Sequence, residues 1–294
     1  MPATPVKLSH LDKVMFPEGG ITKGDLIEHY RAVADRMLPQ VHDRPLAVAR
    51  YPDGIDASSF FQQAAPAHIP SWVKTVTVSK EDGRISHILC QDERTLVYLA
   101  NQAAITLHSW LARADRLDRP DEVMFDLDPS GTDFDEVRRG ALDLHELLED
   151  LGLPSRVKTT GGRGVHVSVP VVRRYEADEL RDFARSVTAV LTRRAPDRYT
   201  SEIRKNKRAG RLFLDVTRNA YAQLAVVPYT VRAVPDARVA TPLHWGELED
   251  EALLPSRFTL RTMPERLADA DPWHEPLTPV SLSKARERIG DLAT

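Results

Sequence analysis

The chain has 294 residues, 42% hydrophobic and 28% charged, the balance of an ordinary globular protein. No apolar run approaches the ~18 residues of a membrane span, and Met1–Lys7 lacks the charged start and apolar stretch of a secretory signal, so neither a membrane nor a secreted protein is expected. A net charge of −3 excludes a protein that coats nucleic acid with its whole surface, so any polyanion binding must rest on local clusters.

In chain order, Gly24–Leu38 reads as an amphipathic helix with Leu26, Tyr30, Val33 and Met37 on one face, closed by Pro39 and Pro45. Leu46–Tyr51 and Trp72–Val78 read as strands, and Ile85–Cys90 as the return strand of a hairpin across Glu81-Asp82-Gly83. Asp-Gly is a turn signal, so Lys80-Glu81-Asp82-Gly83 is read as a hairpin and not as the Lys-x-Asp-Gly adenylation site of a ligase. Cys90 is the only cysteine; in the run Ile88-Leu89-Cys90 it reads as a small buried hydrophobe, which suits a reducing cytoplasm. Leu96, Leu99, Ala100, Ala103 and Leu107 have helical spacing, with His108 ending that helix.

Glu122–Leu127 is a short apolar strand. Phe134, Val137, Ala141, Leu144, Leu148 and Leu151 form a long helical stripe ended by Gly152 and Pro154. Arg156–Thr159 and Val165–Val169 are strands around Gly161-Gly162-Arg163-Gly164, and Leu180, Phe183, Ala184, Val187 and Leu191 mark another helix. Arg211–Val216 and Tyr221–Tyr229 read as strands, and the proline-rich tail from Pro242 as a wrap with little regular structure until a helix after Ser281. Hairpins without regular βαβ alternation favour an α+β fold with mixed or antiparallel sheets flanked by helices. The expected organisation is one domain over 1–294, in parts of about 1–110, 111–240 and a C-terminal wrap over about 241–294.

Chemistry concentrates at Val123-Met124-Phe125-Asp126-Leu127-Asp128-Pro129. Strand side chains alternate, so Asp126 and Asp128 share a face, ~7 Å apart along the strand. Such a pair repels unless a cation lies between, and hard oxygen ligands select Mg²⁺ or Mn²⁺; the bland alternative is two turn acids at a strand end. Asp215 adds a third acid, inside the otherwise apolar Leu212-Phe213-Leu214-Asp215-Val216, where a carboxylate needs either a nearby arginine or a shared metal. Three carboxylates holding two cations match the clamp for phosphoryl and nucleotidyl transfer.

Thr159-Thr160-Gly161-Gly162-Arg163-Gly164-Val165-His166 puts three glycines in four positions, exposing backbone N–H groups to an anion, with Thr160, Arg163 and His166 converging on the turn. Residues 204–218 hold six cations, Arg204, Lys205, Lys207, Arg208, Arg211 and Arg218, against Asp215: a phosphate-binding stretch or a solvated loop. As a helix-end residue, His108 is a cap or a ligand, and Phe60-Phe61 is core or a platform for bases. Lys13 and Lys23 flank a Gly19-Gly20 turn that could fold them toward one point, with Thr22 able to cap the following helix; exposure is the plainer fate of both lysines.

The order of these pieces resembles the polymerase module of bacterial ligase D, in the archaeo-eukaryotic primase superfamily. The resemblance runs from Asp12-Lys13-Val14 through Gly20-Ile21-Thr22-Lys23-Gly24-Asp25-Leu26, Arg50-Tyr51-Pro52-Asp53-Gly54, Phe60-Phe61-Gln62 and Leu107-His108. It continues with Phe125-Asp126-Leu127-Asp128-Pro129, the glycine turn with His166, Asp215 with Arg218-Asn219, and Pro228-Tyr229 with Arg232-Ala233. It implies a primase-polymerase fold with an RRM-like catalytic core over about 111–240, a part over about 1–110 that contacts DNA, and a DNA repair polymerase. Two Mn²⁺ or Mg²⁺ ions would sit on Asp126, Asp128 and Asp215, and an incoming NTP or dNTP on His108, Thr160, Arg163, His166, Arg218 and Arg232. Phe60 and Phe61 would stack on bases, and Lys13 and Lys23 would hold the 5′-phosphate of gapped or broken DNA.

The same resemblance implies Ku and a separate DNA ligase as partners, no membrane, and a cytoplasmic, nucleoid-associated location. Gln63 and Ala49 stand where relatives carry basic residues, Thr160 where they carry serine and Ser109 where they carry proline, departures that bear on DNA affinity and not on metal chemistry. Rival readings are a primase that starts strands de novo, a DNA-end binding module without catalysis, and a haloacid-dehalogenase-type phosphatase with Asp126 as nucleophile; Pro129 stands where the last would have glycine.

Overall fold

The computed structural model describes residues 6–80, 83–131 and 133–293. The chain forms two compact units: residues 1–110, 224–241 and 256–271, and residues 111–223, 242–255 and 272–294.

In the first unit, the hairpin β1 (Val14–Phe16) and β2 (Ile21–Thr22) leads into α1 (Lys23–Ala32) and α2 (Ala34–Val41). The chain continues through β3 (Pro45–Arg50), β4 (Phe60–Gln62), β5 (Lys74–Lys80), β6 (Gly83–Leu89), α3 (Glu93–Asn101) and β7 (Ala104–Trp110). The second unit holds β8 (Glu122–Asp128), α4 (Phe134–Asp150), β9 (Arg156–Thr159), β10 (Val165–Pro170), α5 (Ala177–Arg194), β11 (Tyr199–Thr200) and β12 (Leu212–Asp215). β13 (Leu224–Val226) returns to the first unit, β14 (Pro242–Leu243) to the second, α6 (Met263–Ala268) to the first and α7 (Ser283–Ala293) to the second.

The first unit's sheet is antiparallel, in the order β13-β7-β3-β6-β5, with β4 also paired to β3. The second unit's sheet runs β11-β12-β8-β10-β9-β14, antiparallel except for β11 beside β12. Thr22, the cap expected from the sequence, forms a capping box with Asp25 on α1, and Asp92 accepts from the Thr95 N–H at α3. The stripe of α4 is buried from Phe134 to Leu148, and that of α5 from Leu180 to Leu191. A Cβ added at Gly140 of α4 would come 2.3 Å from the Leu212 side chain and 3.6 Å from that of Leu127, so these leucines point at α4. Asp126 and Asp128, alternating with Leu127, therefore take the other sheet face.

Several elements differ from the sequence reading. The first helix breaks at Val33 (φ −93°, ψ −1°), although Leu26, Tyr30, Val33 and Met37 all remain buried. Pro39 sits inside α2, where its missing N–H costs one helical bond, and Pro45 opens β3. His108 does not end a helix. Ala103 adopts φ +58° and closes the turn after α3, and His108 lies within β7, a strand covered on both sides by β3 and β13. A strand buried on both faces loses its alternation, and its apolar run mimics a helical stripe. The strand expected over Tyr221–Tyr229 is confined to Leu224–Val226, and the tail holds β14 and α6 before its last helix. β5 and β6 pair antiparallel as expected; Glu81 and Asp82 lie outside the described residues.

His29 of α1 is buried, with its Nε2 2.9 Å from the Tyr229 carbonyl. Burial pushes its imidazole from the ordinary 6.5 down to about 4, against the raising effect of that carbonyl bond. The unfolded chain therefore takes up a proton below pH 6.5 that the folded chain refuses until about pH 4. Its stabilising effect is complete above 6.5 and is lost as pH falls to about 4, a loss on the order of 3 kcal/mol. Denaturant titrations of the wild type and His29→Gln across this window are expected to show a shallower pH slope in the variant; equal slopes would refute the assignment.

Candidate active site

Register assembles the acidic face. β12 runs antiparallel to β8 with Asp215 opposite Asp126 and Phe213 opposite Asp128. On the other side of β8, His166 of β10 stands opposite Asp126, and Lys158 of β9 stands opposite His166. Residues directly opposite share a face, so Asp215, Asp126, His166 and Lys158 form one row across four strands, with Asp128 next along β8. The row runs from anionic at β12 to cationic at β9.

Each carboxylate has its own partner. Asp126 is held by Arg218, whose Nε lies 3.3 Å from Oδ2, and by His166, whose Nε2 lies 3.5 Å from Oδ1. Burial alone would raise its carboxyl, but His166 and Arg218 hold it ionised, at about 2. For His166, burial and the charge of Lys158 lower the imidazole against the pull of Asp126. Asp128 faces Arg208, with Nη1 to Oδ2 at 3.3 Å, and that guanidinium lies 3.8 Å from the Phe213 ring centre. Asp215 accepts a 2.7 Å bond from the Thr217 N–H at the start of the short 3₁₀ turn Thr217–Asn219.

The glycine turn overhangs the Asp128 end of β8. Thr160 donates to the Gly164 carbonyl at 3.0 Å and accepts from the Gly162 N–H at 3.2 Å, so its hydroxyl organises the turn. Gly161 has φ +64°, and a Cβ at Gly164 would fall 2.2 Å from the Leu127 carbonyl oxygen. Only glycine lets the turn lie this close to β8. Arg163 is exposed on it. His166 is 4% exposed and its Nδ1 has no hydrogen-bond partner among the described residues. With Nε2 turned to Asp126, this buried nitrogen accepts while the ring is neutral and donates to a ligand such as a phosphate once the ring takes a second proton.

The donor chemistry also fits a hard divalent cation: three carboxylates on one face, one of them buried and held ionised. Among the described residues, no three His, Cys, Asp or Glu side chains converge as a ligand set. The acids share a face and a register, and turn toward Arg218, Arg208 and the Thr217 N–H.

The remaining predicted residues lie in the first unit. His108 stands opposite Ala47 and Val226, with its ring 5.4 Å from Phe61 and edge-on to it. Phe60 and Phe61 are 48% and 49% exposed, which removes the core alternative, and Arg50 lies 5.1 Å over the Phe60 ring. The segment bearing Arg232 docks on β7, as Thr106 donates to the Val231 carbonyl at 2.8 Å and Thr230 accepts from the Leu107 N–H at 2.8 Å. The β1–β2 hairpin brings Lys13 and Lys23 together: the Lys23 N–H donates to the Lys13 carbonyl at 2.8 Å. Lys13 Nζ reaches the Pro52 carbonyl and Asp53, at 2.8 and 2.7 Å. Lys23 is buried, near the Asn101 carbonyl at 3.2 Å and Ser9 at 3.4 Å; burial, then the charge of Lys13, lowers its ammonium from 10.5. The start of α1 is occupied by its own chain, since the Gly24 N–H donates to Leu11 and the Asp25 N–H to Thr22.

Sequence reasoning missed Lys158, Arg208 as the partner of Asp128, and Asn219. Lys158 is legible only through alternation from His166 across the glycine turn, and the partners of Arg208 and Asn219 lie 80 and 95 residues away along the chain.

An α+β architecture with an acidic row on its mixed sheet defines the primase-polymerase class, whose chemistry is nucleotidyl transfer. A sequence model of the family described as "LigD, primase-polymerase domain" matches residues 22–273, and the chain belongs to that family. It is 33% identical over 264 residues to the bifunctional non-homologous end joining protein LigD of Bacillus subtilis (strain 168), covering 89% of this chain and 42% of that protein. It is also 33% identical over 273 residues to the multifunctional LigD of Pseudomonas aeruginosa PAO1, covering 91% of this chain and 32% of that one. The chain thus spans about a third to two fifths of the length of these relatives. Its fold matches the polymerase domain from Mycobacterium tuberculosis ligase D, solved in complex with DNA, with a TM-score of 0.86, 28% identity and coverage of 92% of this chain and 97% of that one. β8 is antiparallel to both neighbours, which removes the parallel doubly wound sheet that the phosphatase alternative needs.

Gly164→Ala is expected to push the turn off β8 and lower stability by about 2–3 kcal/mol, more than Gly131→Ala, whose added Cβ meets nothing within 4 Å. Thermal melts of the two variants decide this, and equal shifts would show that the turn yields freely.

Proposed function

We propose that the chain is a template-directed polymerase that fills gaps or extends ends at broken DNA, adding nucleotides from NTPs or dNTPs with two Mn²⁺ or Mg²⁺ ions. The observation that carries the reading is the cross-strand row that sets Asp215, Asp126 and His166 side by side with Asp128 next to them. Bound at these carboxylates, divalent cations supply charge stabilisation at the transferring phosphoryl group. Asp126, Asp128 and Asp215 hold them. Thr160 shapes the glycine turn under the triphosphate, while Arg163, Arg218 and the free Nδ1 of His166 meet its oxygens. The family resemblance adds His108 and Arg232 of the first unit as nucleotide-binding candidates. Phe60 and Phe61, half exposed, offer rings for base stacking.

In this reading the DNA carries a 5′-phosphate beyond the gap, held by Lys13 and Lys23. Two ammonium groups held near one another by the β1–β2 hairpin suit a dianionic terminal phosphate better than an internal one, and their mutual repulsion is relieved when it binds. The similarity to end-joining proteins supports a break-repair setting, with Ku and a separate ligase as partners.

Asp126→Ala, Asp128→Ala and Asp215→Ala are each expected to lower gap filling at least about 10³-fold with the melting temperature retained. Full activity in any of the three would overturn the assignment. Gapped DNA with a 5′-phosphate is expected to bind and be filled better than the 5′-hydroxyl form, and Lys13→Ala with Lys23→Ala to erase that preference while sparing a simple primer-template. Wild-type binding that ignores the phosphate would defeat the pocket, and a double variant inactive on every substrate would assign the lysines to folding.

A further inference from the structure

We infer that Asn219 is a positioning residue for the acidic face: its side-chain amide continues the β12–β8 ladder after the main chain has left it, and so fixes Arg218 against Asp126. This rests on the reading that Arg218 binds the nucleotide.

The β12–β8 register places Asp215 opposite Asp126. Continued two residues further, it would set Thr217 opposite Met124. The chain instead bends at Val216 (φ −113°, ψ 5°) into the turn Thr217–Asn219. The bend serves the site. In a straight strand, residue 218 would alternate onto the face of Leu214, which is packed on the helices, and a guanidinium there would be buried among leucines. Leaving the strand is what allows Arg218 to stand over Asp126, Nε to Oδ2 at 3.3 Å.

The bend strands the backbone of Met124, which lies in the middle of the sheet and is buried. Both of its polar groups need partners. Asn219 supplies both: the Met124 N–H donates to its Oδ1 at 2.8 Å, and its Nδ2 donates to the Met124 carbonyl at 2.7 Å. The second N–H of that amide donates to the Val216 carbonyl at 2.9 Å. The side chain therefore imitates a paired strand residue and also ties down the bend. Asn219 is 1% exposed, so water does not compete for these bonds. The turn is pinned at its front by Asp215, which accepts from the Thr217 N–H, and at its back by Asn219, with Arg218 between. No other side chain of this size carries a donor and an acceptor in peptide-like geometry.

The test is a double-mutant cycle on the full chain. Nucleotide affinity is read by equilibrium titration with a fluorescent nucleoside triphosphate, and KM and kcat by gap filling. Asn219→Ala is expected to weaken nucleotide binding and raise KM about tenfold with a smaller change in kcat, and Asn219→Ala with Arg218→Ala to be no weaker than Arg218→Ala alone. If Asn219→Ala does not fold, Asn219→Asp takes its place: it keeps the acceptor for the Met124 N–H and loses both donors. A loss confined to melting temperature, or two losses that multiply in the double variant, would overturn the inference. Arg218→Ala that weakens binding beside an unaffected Asn219 variant would overturn the inference alone. Arg218→Ala with unchanged affinity would overturn the nucleotide reading, and the inference with it.

Discussion

The second unit's chemistry depends on one register, the pairing of Asp215 with Asp126 across β12 and β8. Side chains alternate along a strand, so a slip of one residue would turn Asp215 into the apolar side and bring Leu214 out beside Asp126. Burying an uncompensated carboxylate among leucines costs several kcal/mol. The register is held from the opposite face: Leu212 and Leu127 pack at Gly140 of α4, where a methyl group would already collide. Apolar packing on one face thus sets the spacing of the charges on the other. The site is as precise as the core behind it, which a loop-borne site would not be.

The same sheet explains how carboxylates persist together on a nearly buried surface. Asp126 would be pushed toward protonation by burial, yet the His166 imidazole and the Arg218 guanidinium keep it ionised. Arg208 pairs with Asp128 by contact, and its guanidinium also donates to the carbonyls of Glu202 and Ile203. Arginine suits this position because its fork can bind a carboxylate and several carbonyls at once while its plane lies on Phe213. A lysine has donors for several acceptors but no plane to lie on the ring, and its single nitrogen cannot span them as the fork does.

How much of this was legible in the sequence varies with the range of the interaction. The alternation of Asp126, Leu127 and Asp128 is local, and it placed the acid pair on one face correctly. The stripes of α4 and α5, the glycine turn and the capping of α1 by Thr22 are likewise written within a few residues. His108 was misplaced because a strand covered on both faces carries no alternation, and its apolar run continues the stripe of α3 by coincidence of spacing. The break at Val33 was invisible because the buried stripe runs on through it. Lys158, Arg208 and Asn219 acquire their meaning only from cross-strand register or from partners far away in sequence, which no window of a dozen residues reports.

The net charge of −3 reads differently once the residues are placed. Uniform positive charge serves a protein that binds a polyanion everywhere; the local site proposed above needs cations only where phosphates would lie. Of the 40 lysines and arginines, a few cluster locally: Lys13 with Lys23 on the β1–β2 hairpin, Arg163 on the glycine turn, and the exposed Arg204, Lys205 and Lys207 before β12. Clusters of this kind act locally, within the screening length of about 8–10 Å at physiological salt. The acidic row does not repel an anion as a uniform surface would, since it ends in Lys158, two strands beyond Asp126 and inside the closing strand β14. On the proposed reading a triphosphate with its metal ions carries both signs, as does this row, with carboxylates at one end and nitrogen donors at the other.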